Sequence, residues 1–124
     1  MIGTLRERGR ASYHAGLSAE DRIERAYTDD GHTVLARRWR GRGGEIDLVL
    51  CKDDVISFVE VKKARDFARA AESLRPSQAR RIATAAEEFL ATQPRGALTE
   101  CSFDVGLVDQ TGAYEIIENA LLLQ

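Results

Sequence analysis

Residues 44–62 constrain the fold of this chain more than any other stretch, because two strand-like apolar runs flank a short acidic turn. The first run ends at Lys52 and the second begins at Val55, so Asp53 and Asp54 are predicted to form a two-residue hairpin turn. Aspartate is an acceptable residue in such turns. The sequence therefore predicts an antiparallel β-hairpin with charged residues where strands normally bury apolar ones.

A two-residue turn fixes the register of the hairpin, because a slip by one residue would move every side chain to the other face. Counting back from the turn pairs Asp47 with Glu60 and Glu45 with Lys62 on one face. Alternation places the apolar side chains of the first strand on the opposite face, namely Ile46, Leu48 and Leu50. Two carboxylates and a lysine are therefore expected to converge at one end of the hairpin.

Two neighbouring carboxylates inside a protein repel each other unless a cation or a bound proton compensates. Hard oxygen ligands select Mg²⁺ or Mn²⁺, which keep several waters and tend to bind phosphate at the same time. Lys62 can add positive charge or orient a metal-bound water at a phosphodiester. Without metal, Lys62 is expected to neutralise part of the Asp47–Glu60 pair. The alternative interpretation is a structural hairpin closed by a cross-strand salt bridge.

The sequence from Asp47 to Lys62 also carries a family resemblance. Asp47, followed after twelve residues by Glu60, Val61 and Lys62, resembles the active-site signature of the restriction-endonuclease-like (PD-D/ExK) nucleases. A longer stretch, from Gly31 to Lys62, is similar to the YraN-like family of small bacterial proteins. The similarity is clearest in residues 35–40, 42–48 and 58–62, and it extends over roughly residues 15–120.

The resemblance implies a metal-dependent nuclease that hydrolyses phosphodiester bonds of nucleic acid, DNA in preference to RNA. Asp47 and Glu60 would bind Mg²⁺ or Mn²⁺, with the Val61 carbonyl as a further ligand. Lys62 would position or polarise the attacking water. Glu20 is a further catalytic candidate, because an acidic residue in this position begins the first helix of the family. Stabilisation of the helix dipole is the alternative role for Glu20.

A segment rich in arginine and glycine, residues 40–44, directly precedes the hairpin. Glycines let backbone amides approach a phosphate closely, and one arginine can donate two hydrogen bonds to the phosphate oxygens. The nucleic-acid-binding candidates are basic and glycine residues around this segment, after Lys62 and on the later helix: Arg38, Arg40, Arg42, Gly43, Lys63, Arg80 and Arg81. A glycine-rich turn with solvated arginines is the alternative. Many YraN-like proteins carry a lysine where this chain has Gln78, so no phosphate contact is assigned there.

The length of 124 residues and the hydrophobic content of 44% suit one domain with a single core. Ser18 heads a capping box that begins a helix near residue 19, and the elements are predicted in the order α-β-β-β-α-β-β. The predicted fold class is α/β, a single domain with a mixed central β-sheet flanked by helices, and the resemblance implies a restriction-endonuclease-like core. We predict a flexible basic arm in residues 1–16 and one domain in residues 17–124.

The net charge of −2 at pH 7 argues against general electrostatic attraction to nucleic acid, so any binding surface must be local. Residues 1–10 lack the apolar centre of a secretory signal, and no run is long enough to cross a bilayer. We therefore expect a cytoplasmic protein without a membrane partner, with Cys51 and Cys101 reduced. Two other functions stay open: a non-catalytic nucleic-acid-binding module on the same fold, and a scaffold that binds only protein. Monomer and homodimer are both open as well.

Overall fold

A mixed β-sheet forms the centre of the computed structural model, which describes residues 4–9, 18–72 and 75–120. In chain order, the elements within these residues are β1 (Thr4–Gly9), α1 (Ala19–Asp29), β2 (Thr33–Arg40), β3 (Glu45–Lys52), β4 (Val55–Lys63), α2 (Phe67–Glu72), α3 (Pro76–Leu90), a short 3-10 helix (Gly96–Leu98), β5 (Cys101–Val108) and β6 (Tyr114–Glu118). The strands lie in the order β1-β6-β5-β4-β3-β2. Neighbours are antiparallel except β4 and β5, which are parallel because a helical crossover joins them.

This architecture confirms the predicted α/β class with a mixed sheet, and it is consistent with a restriction-endonuclease-like fold. The predicted order of elements is incomplete in two places. Residues 4–9, which we assigned to a flexible arm, form β1 because the free edge of β6 supplies an antiparallel partner. The crossover also contains α2, an additional short helix. The rest of the predicted arm, residues 1–3 and 10–16, lies outside the described residues.

The helices pack on both faces of the sheet. The residues that α3 buries against one face are Ala79, Ile82, Ala85, Ala86, Phe89 and Leu90. The residues that α1 buries against the other face are Ile23, Ala26 and Tyr27. A β-carbon on Gly106 would lie 2.7 Å from Ile23 Cγ1, so the glycine in β5 permits the close approach of α1. Within the described ranges, no helix has both the length and the apolar character needed to cross a bilayer.

The sequence signals at the ends of α1 are confirmed. The Ser18 hydroxyl accepts a hydrogen bond of 3.1 Å from the Asp21 amide, which satisfies one of the free amides of the first turn. The helix ends before Gly31, which has a φ of +95° that L-residues rarely adopt. The Ser18 cap places Glu20 in the first turn of α1.

The predicted register of the central hairpin is also confirmed. Asp53 and Asp54 both have positive φ, 51° and 65°, as a tight two-residue turn requires. Pairing runs from Lys52 opposite Val55 to Leu48 opposite Val59, as counted from the turn. The ladder stops there, so the predicted pairing of Glu45 with Lys62 is not formed by the strands. The two strands separate at the level of Asp47 and Glu60.

The alternation predicted for β3 is wrong at its first apolar residue. Ile46 packs in the cluster that contains Val49 and α3, whereas Leu48 packs in the cluster that contains α1. In the neighbouring strand β2, Arg38 lies between the pairs Arg37–Leu48 and Trp39–Ile46 and has a φ of +48°. A residue in this left-handed region interrupts the regular geometry of its own strand, so β2 is irregular beside the point where β3 changes face.

Candidate active site

The separation of β3 from β4 begins at Asp47. Its Oδ2 atom accepts a hydrogen bond of 2.8 Å from the Val61 amide. A side-chain oxygen thus takes the place that a strand carbonyl would occupy in a continued ladder, and the Val61 amide stays satisfied. This contact holds the Asp47 carboxylate at the opening between the strands, next to the side chain of Glu60.

Glu60 is buried, with an exposed fraction of only 6%. Its Oε2 atom accepts a hydrogen bond from the Gln78 side-chain amide, which projects from the first turn of α3. The Lys62 ammonium lies 3.7 Å from the same oxygen. The structure therefore brings three of the predicted catalytic residues, Asp47, Glu60 and Lys62, into one cluster.

The surroundings of Glu60 raise its pKa to about 8, far above its ordinary value of 4.5. Burial is the largest cause, followed by a hydrogen bond and charge repulsion from Asp47. Lys62 and Gln78 lower this pKa, but less than the other effects raise it. At pH 7 a proton on Glu60 therefore removes one of the two negative charges of the carboxyl pair without metal, and the Lys62 ammonium adds positive charge beside it.

The carboxyl pair opens into a cavity of about 340 Å³ between the sheet, α1 and α3. The residues around the cavity are mostly polar: Glu20, Gly44, Glu45, Asp47, Glu60, Val61, Lys62, Gln78, Arg81 and Ile82. Glu20 contributes from α1, but its Oε2 atom lies 3.3 Å from Arg38 Nη2. Glu45, predicted to face Lys62, instead forms an ion pair of 3.1 Å with Arg40.

The carboxyl oxygens of Asp47 and Glu60 supply some, but not all, of the ligands that a hard divalent cation needs. Asp47 and Glu60 present carboxyl oxygens side by side, and the proton that the pair holds without metal marks a position where positive charge is favoured. Among the described residues, no group of three or more Asp, Glu, His or Cys side chains is placed to hold one ion. A bound Mg²⁺ or Mn²⁺ would thus depend on two carboxylates, with the Val61 carbonyl and water completing its ligands.

The backbone of the glycine-rich segment is already engaged. The amides of Arg42 and Gly43 donate hydrogen bonds of 3.0 and 3.2 Å to the Glu88 carboxylate on α3. A β-carbon on Gly43 would lie 2.6 Å from Thr84 Cγ2, so this segment packs tightly on the helix. The Arg42 and Gly43 amides, predicted to bind phosphate, therefore already donate to Glu88. Only the side chains of this segment are left to contact a phosphate.

The predicted basic residues lie around the site at different distances. Arg81 borders the cavity, and with Arg80 and Gly43 it also borders an adjoining groove of about 500 Å³. Lys63 is exposed at the end of β4. Arg38 and Arg40 are exposed but form ion pairs with acidic residues. Of the α3 arginines, Arg81 thus lies beside the carboxyl pair and Arg80 along the groove only, whereas the β2 arginines pair with neighbouring acids.

Comparison with known sequences gives the family of this chain. The model of the uncharacterised protein family UPF0102 matches residues 19–108. The chain belongs to the UPF0102 family. This finding confirms the YraN-like resemblance, and every residue around the cavity lies inside the matched range.

UPF0102 proteins from three species match nearly the whole chain. A UPF0102 protein of Roseobacter denitrificans is 55% identical over 113 residues, covering 91% of this chain and 88% of the relative. A UPF0102 protein of Ruegeria pomeroyi is 53% identical over 116 residues, covering 94% of each chain. One from Cereibacter sphaeroides is 53% identical over 112 residues, covering 90% of this chain and 96% of the relative.

Two residues of this UPF0102 site were missed by sequence analysis. Gln78 was considered only for phosphate contact, yet it binds Glu60 across 18 residues of chain. Glu88 reads as a surface charge on α3, yet it binds the glycine-rich segment more than 40 residues away. Neither contact has a local signal, because both depend on where the crossover places α3 against the sheet.

Proposed function

We propose that this protein is a metal-dependent nuclease that hydrolyses phosphodiester bonds. The observation that carries the proposal is the Asp47–Glu60 pair, two adjoining acids in an open polar cavity with the Lys62 ammonium beside them. A purely structural acid pair would be expected to lie in a closed interior, where each oxygen finds a donor. Here the pair instead faces space that a phosphate group can enter.

Each residue has a distinct role in the proposed reaction. Asp47, held by the Val61 amide, and Glu60 are the cation ligands. A bound Mg²⁺ or Mn²⁺ supplies Lewis-acid polarisation of the phosphodiester and of water. Lys62 positions the attacking water and places positive charge where negative charge grows on the phosphoryl oxygens. Glu20 borders the same cavity and is the further acid candidate.

The proposed nucleic acid, DNA in preference to RNA, reaches the cavity along α3. Arg80 and Arg81 border the groove that adjoins the cavity, and Arg81 belongs to both. Arginine side chains bind phosphate oxygens without regard to base sequence, so these contacts would position the backbone rather than read bases. Arg42 and Lys63 are exposed and are further candidates for backbone contact.

A second candidate is a module that binds nucleic acid without cleaving it. The observation that favours it is the small donor set, since among the described residues no third Asp, Glu, His or Cys side chain joins Asp47 and Glu60 to hold one ion. In this candidate the proton on Glu60, rather than a metal ion, is the permanent compensation for the acid pair. The basic groove along α3 would serve the same purpose in both candidates.

The deciding experiment measures cleavage of single-stranded, branched and duplex DNA and RNA with Mg²⁺ or Mn²⁺. We expect cleavage of at least one substrate by the wild type, and none by the double variant Asp47→Ala with Glu60→Ala. Cleavage that survives in the double variant would contradict the proposed site. Salt-sensitive binding with neither cleavage nor Mn²⁺ binding would favour the second candidate.

A further inference from the structure

The contact between Gln78 and Glu60 has no part in the roles proposed above. Gln78 lies in the first turn of α3, three residues after the N-cap residue Arg75. A glutamine at this position can fold back onto the amide of the N-cap residue and complete a capping box. In this helix the Gln78 side chain donates to Glu60 Oε2 instead, and the Arg75 side chain forms no cap.

Two nitrogen donors therefore converge on one oxygen of Glu60. The Gln78 amide is hydrogen-bonded to Oε2, and Lys62 Nζ lies 3.7 Å from the same atom. The terminal torsion of a glutamate has no sharp minimum, so an isolated Glu60 carboxyl would rotate over a broad range. A hydrogen bond from α3 and an ion pair from β4 restrict that rotation and define where the second oxygen of Glu60 points.

We infer that Gln78 is a positioning residue that fixes the rotation of the Glu60 carboxyl, so that the Oε1 atom faces Asp47 across the cation position. The inference rests on the proposed function. Hydrogen-bonded partners of metal ligands orient those ligands, and their removal weakens metal binding. Gln78 is well suited to this task, because its neutral amide stabilises the carboxylate without adding a charge that would repel a divalent ion.

The test compares two variants that remove the same side-chain amide. Gln78→Met keeps the length and volume of the side chain but cannot donate to Glu60. Gln93→Met is the matched control, because Gln93 lies beyond α3 and its amide contacts only Thr92 among the contacts of the described residues. Mn²⁺ affinity is measured by calorimetry, and thermal unfolding without metal verifies that each variant folds.

We expect Gln78→Met to bind Mn²⁺ roughly 10–100-fold more weakly than the wild type, as for other partners of metal ligands. Gln93→Met should stay within about twofold of the wild type, since its amide lies outside the site. Equal Mn²⁺ affinity in the wild type and Gln78→Met would overturn the inference but leave the proposed function standing. Failure of the wild type itself to bind Mn²⁺ would overturn both.

A measurement on the metal-free wild type tests the hydrogen bond between Gln78 and Glu60 directly, so it does not depend on whether a variant folds. In the ¹⁵N–¹H spectrum of the wild type, a side-chain amide proton of Gln78 should lie downfield and exchange slowly compared with those of Gln93. A carboxyl acceptor in a buried position produces this signature, whereas a merely solvated amide does not. A Gln78 amide with the shift and exchange rate of a solvated glutamine would overturn the inference.

Discussion

Glu60 and Asp104 are both buried acids on the parallel strands β4 and β5, with exposed fractions of 6% and 1%. Their surroundings differ. Asp104 accepts hydrogen bonds from the Tyr27 hydroxyl at 2.6 Å and the Asn119 amide at 3.2 Å. Glu60 also accepts from a donor, but it adjoins a second acid, Asp47, and an open cavity.

The comparison shows which buried acid is suited to bind a ligand. Donors on both oxygens of Asp104 join α1 to β5 and to the residue after β6, so this carboxylate ties elements together. The neighbouring Asp47 opposes ionisation of Glu60, and a proton or a cation relieves this repulsion. Burial alone therefore does not distinguish a structural acid from a functional one, whereas the neighbouring groups do.

The largest expected contrast is between Glu60→Gln and Asp104→Asn. Glu60→Gln should lower metal-dependent cleavage by more than about 100-fold, because even hydrogen-bonded partners of ligands are worth roughly 10–100-fold. Asp104→Asn should lower the free energy of unfolding by about 1–3 kcal/mol, because it leaves a buried donor without an acceptor. Cleavage rates and denaturant unfolding, measured on both variants, verify the contrast. A Glu60→Gln variant with wild-type activity would remove the distinction between the two acids.

The second contrast is in the pH dependence of stability. Between pH 4.5 and about 8 the folded protein holds a proton on Glu60 that the unfolded chain has released. The Glu60 contribution is therefore fully present below about pH 4.5, falls as pH rises, and is gone above about pH 8. At about 1.4 kcal/mol per pKa unit, the change is on the order of a few kcal/mol.

Denaturant unfolding of the wild type and Glu60→Gln across this pH range isolates that contribution. The difference in stability between the two proteins should change steadily with pH and become constant above about pH 8. A difference that does not vary with pH would mean that Glu60 titrates as an ordinary exposed glutamate.

A smaller effect is expected for Tyr27→Phe, which removes the hydroxyl that donates to Asp104. The variant should lose about 1–3 kcal/mol of unfolding free energy, because the buried carboxylate loses a hydrogen bond. Its Mn²⁺ affinity, measured by calorimetry, should equal that of the wild type. A loss of metal binding in Tyr27→Phe would show that the two acids are coupled through the sheet.

The smallest effect concerns Lys62→Met in the absence of metal. The proton on Glu60 already removes one of the two negative charges of the acid pair at pH 7, so this variant should lose less than about 1 kcal/mol of unfolding free energy. Lys62→Met should nevertheless lack cleavage, because its ammonium positions the water in the proposed reaction. A large loss of stability at pH 7 would indicate that Lys62, rather than the proton, compensates the pair.

The sequence predicted the elements whose signals are local. Ser18 and Gly31 fix the ends of α1 through cap geometry, and the Asp53–Asp54 turn fixes the register of the hairpin. Because strand side chains repeat every two residues, this register was enough to bring Asp47 beside Glu60. The carboxyl pair could thus be predicted from the sequence, by locating the hairpin turn and counting strand pairs back from it.

The sequence did not predict features that arise from contacts between distant elements. β1 has no apolar period of its own and is a strand only because it pairs with β6. The change of face at Ile46 lies beside the positive φ of Arg38 in the neighbouring strand. Gln78 and Glu88 contact the site because the crossover lays α3 across the sheet. Tertiary packing decides such features, and no local pattern encodes them.

Calorimetry of Mn²⁺ binding at pH 7, in two buffers with different ionisation enthalpies, tests most directly whether the Asp47–Glu60 pair holds a divalent cation. A cation must displace the proton on Glu60, whose pKa is about 8, so we predict binding with release of about one proton per ion. The double variant Asp47→Asn with Glu60→Gln should show no binding. Absence of binding by the wild type, or binding that persists in the double variant, would contradict the account.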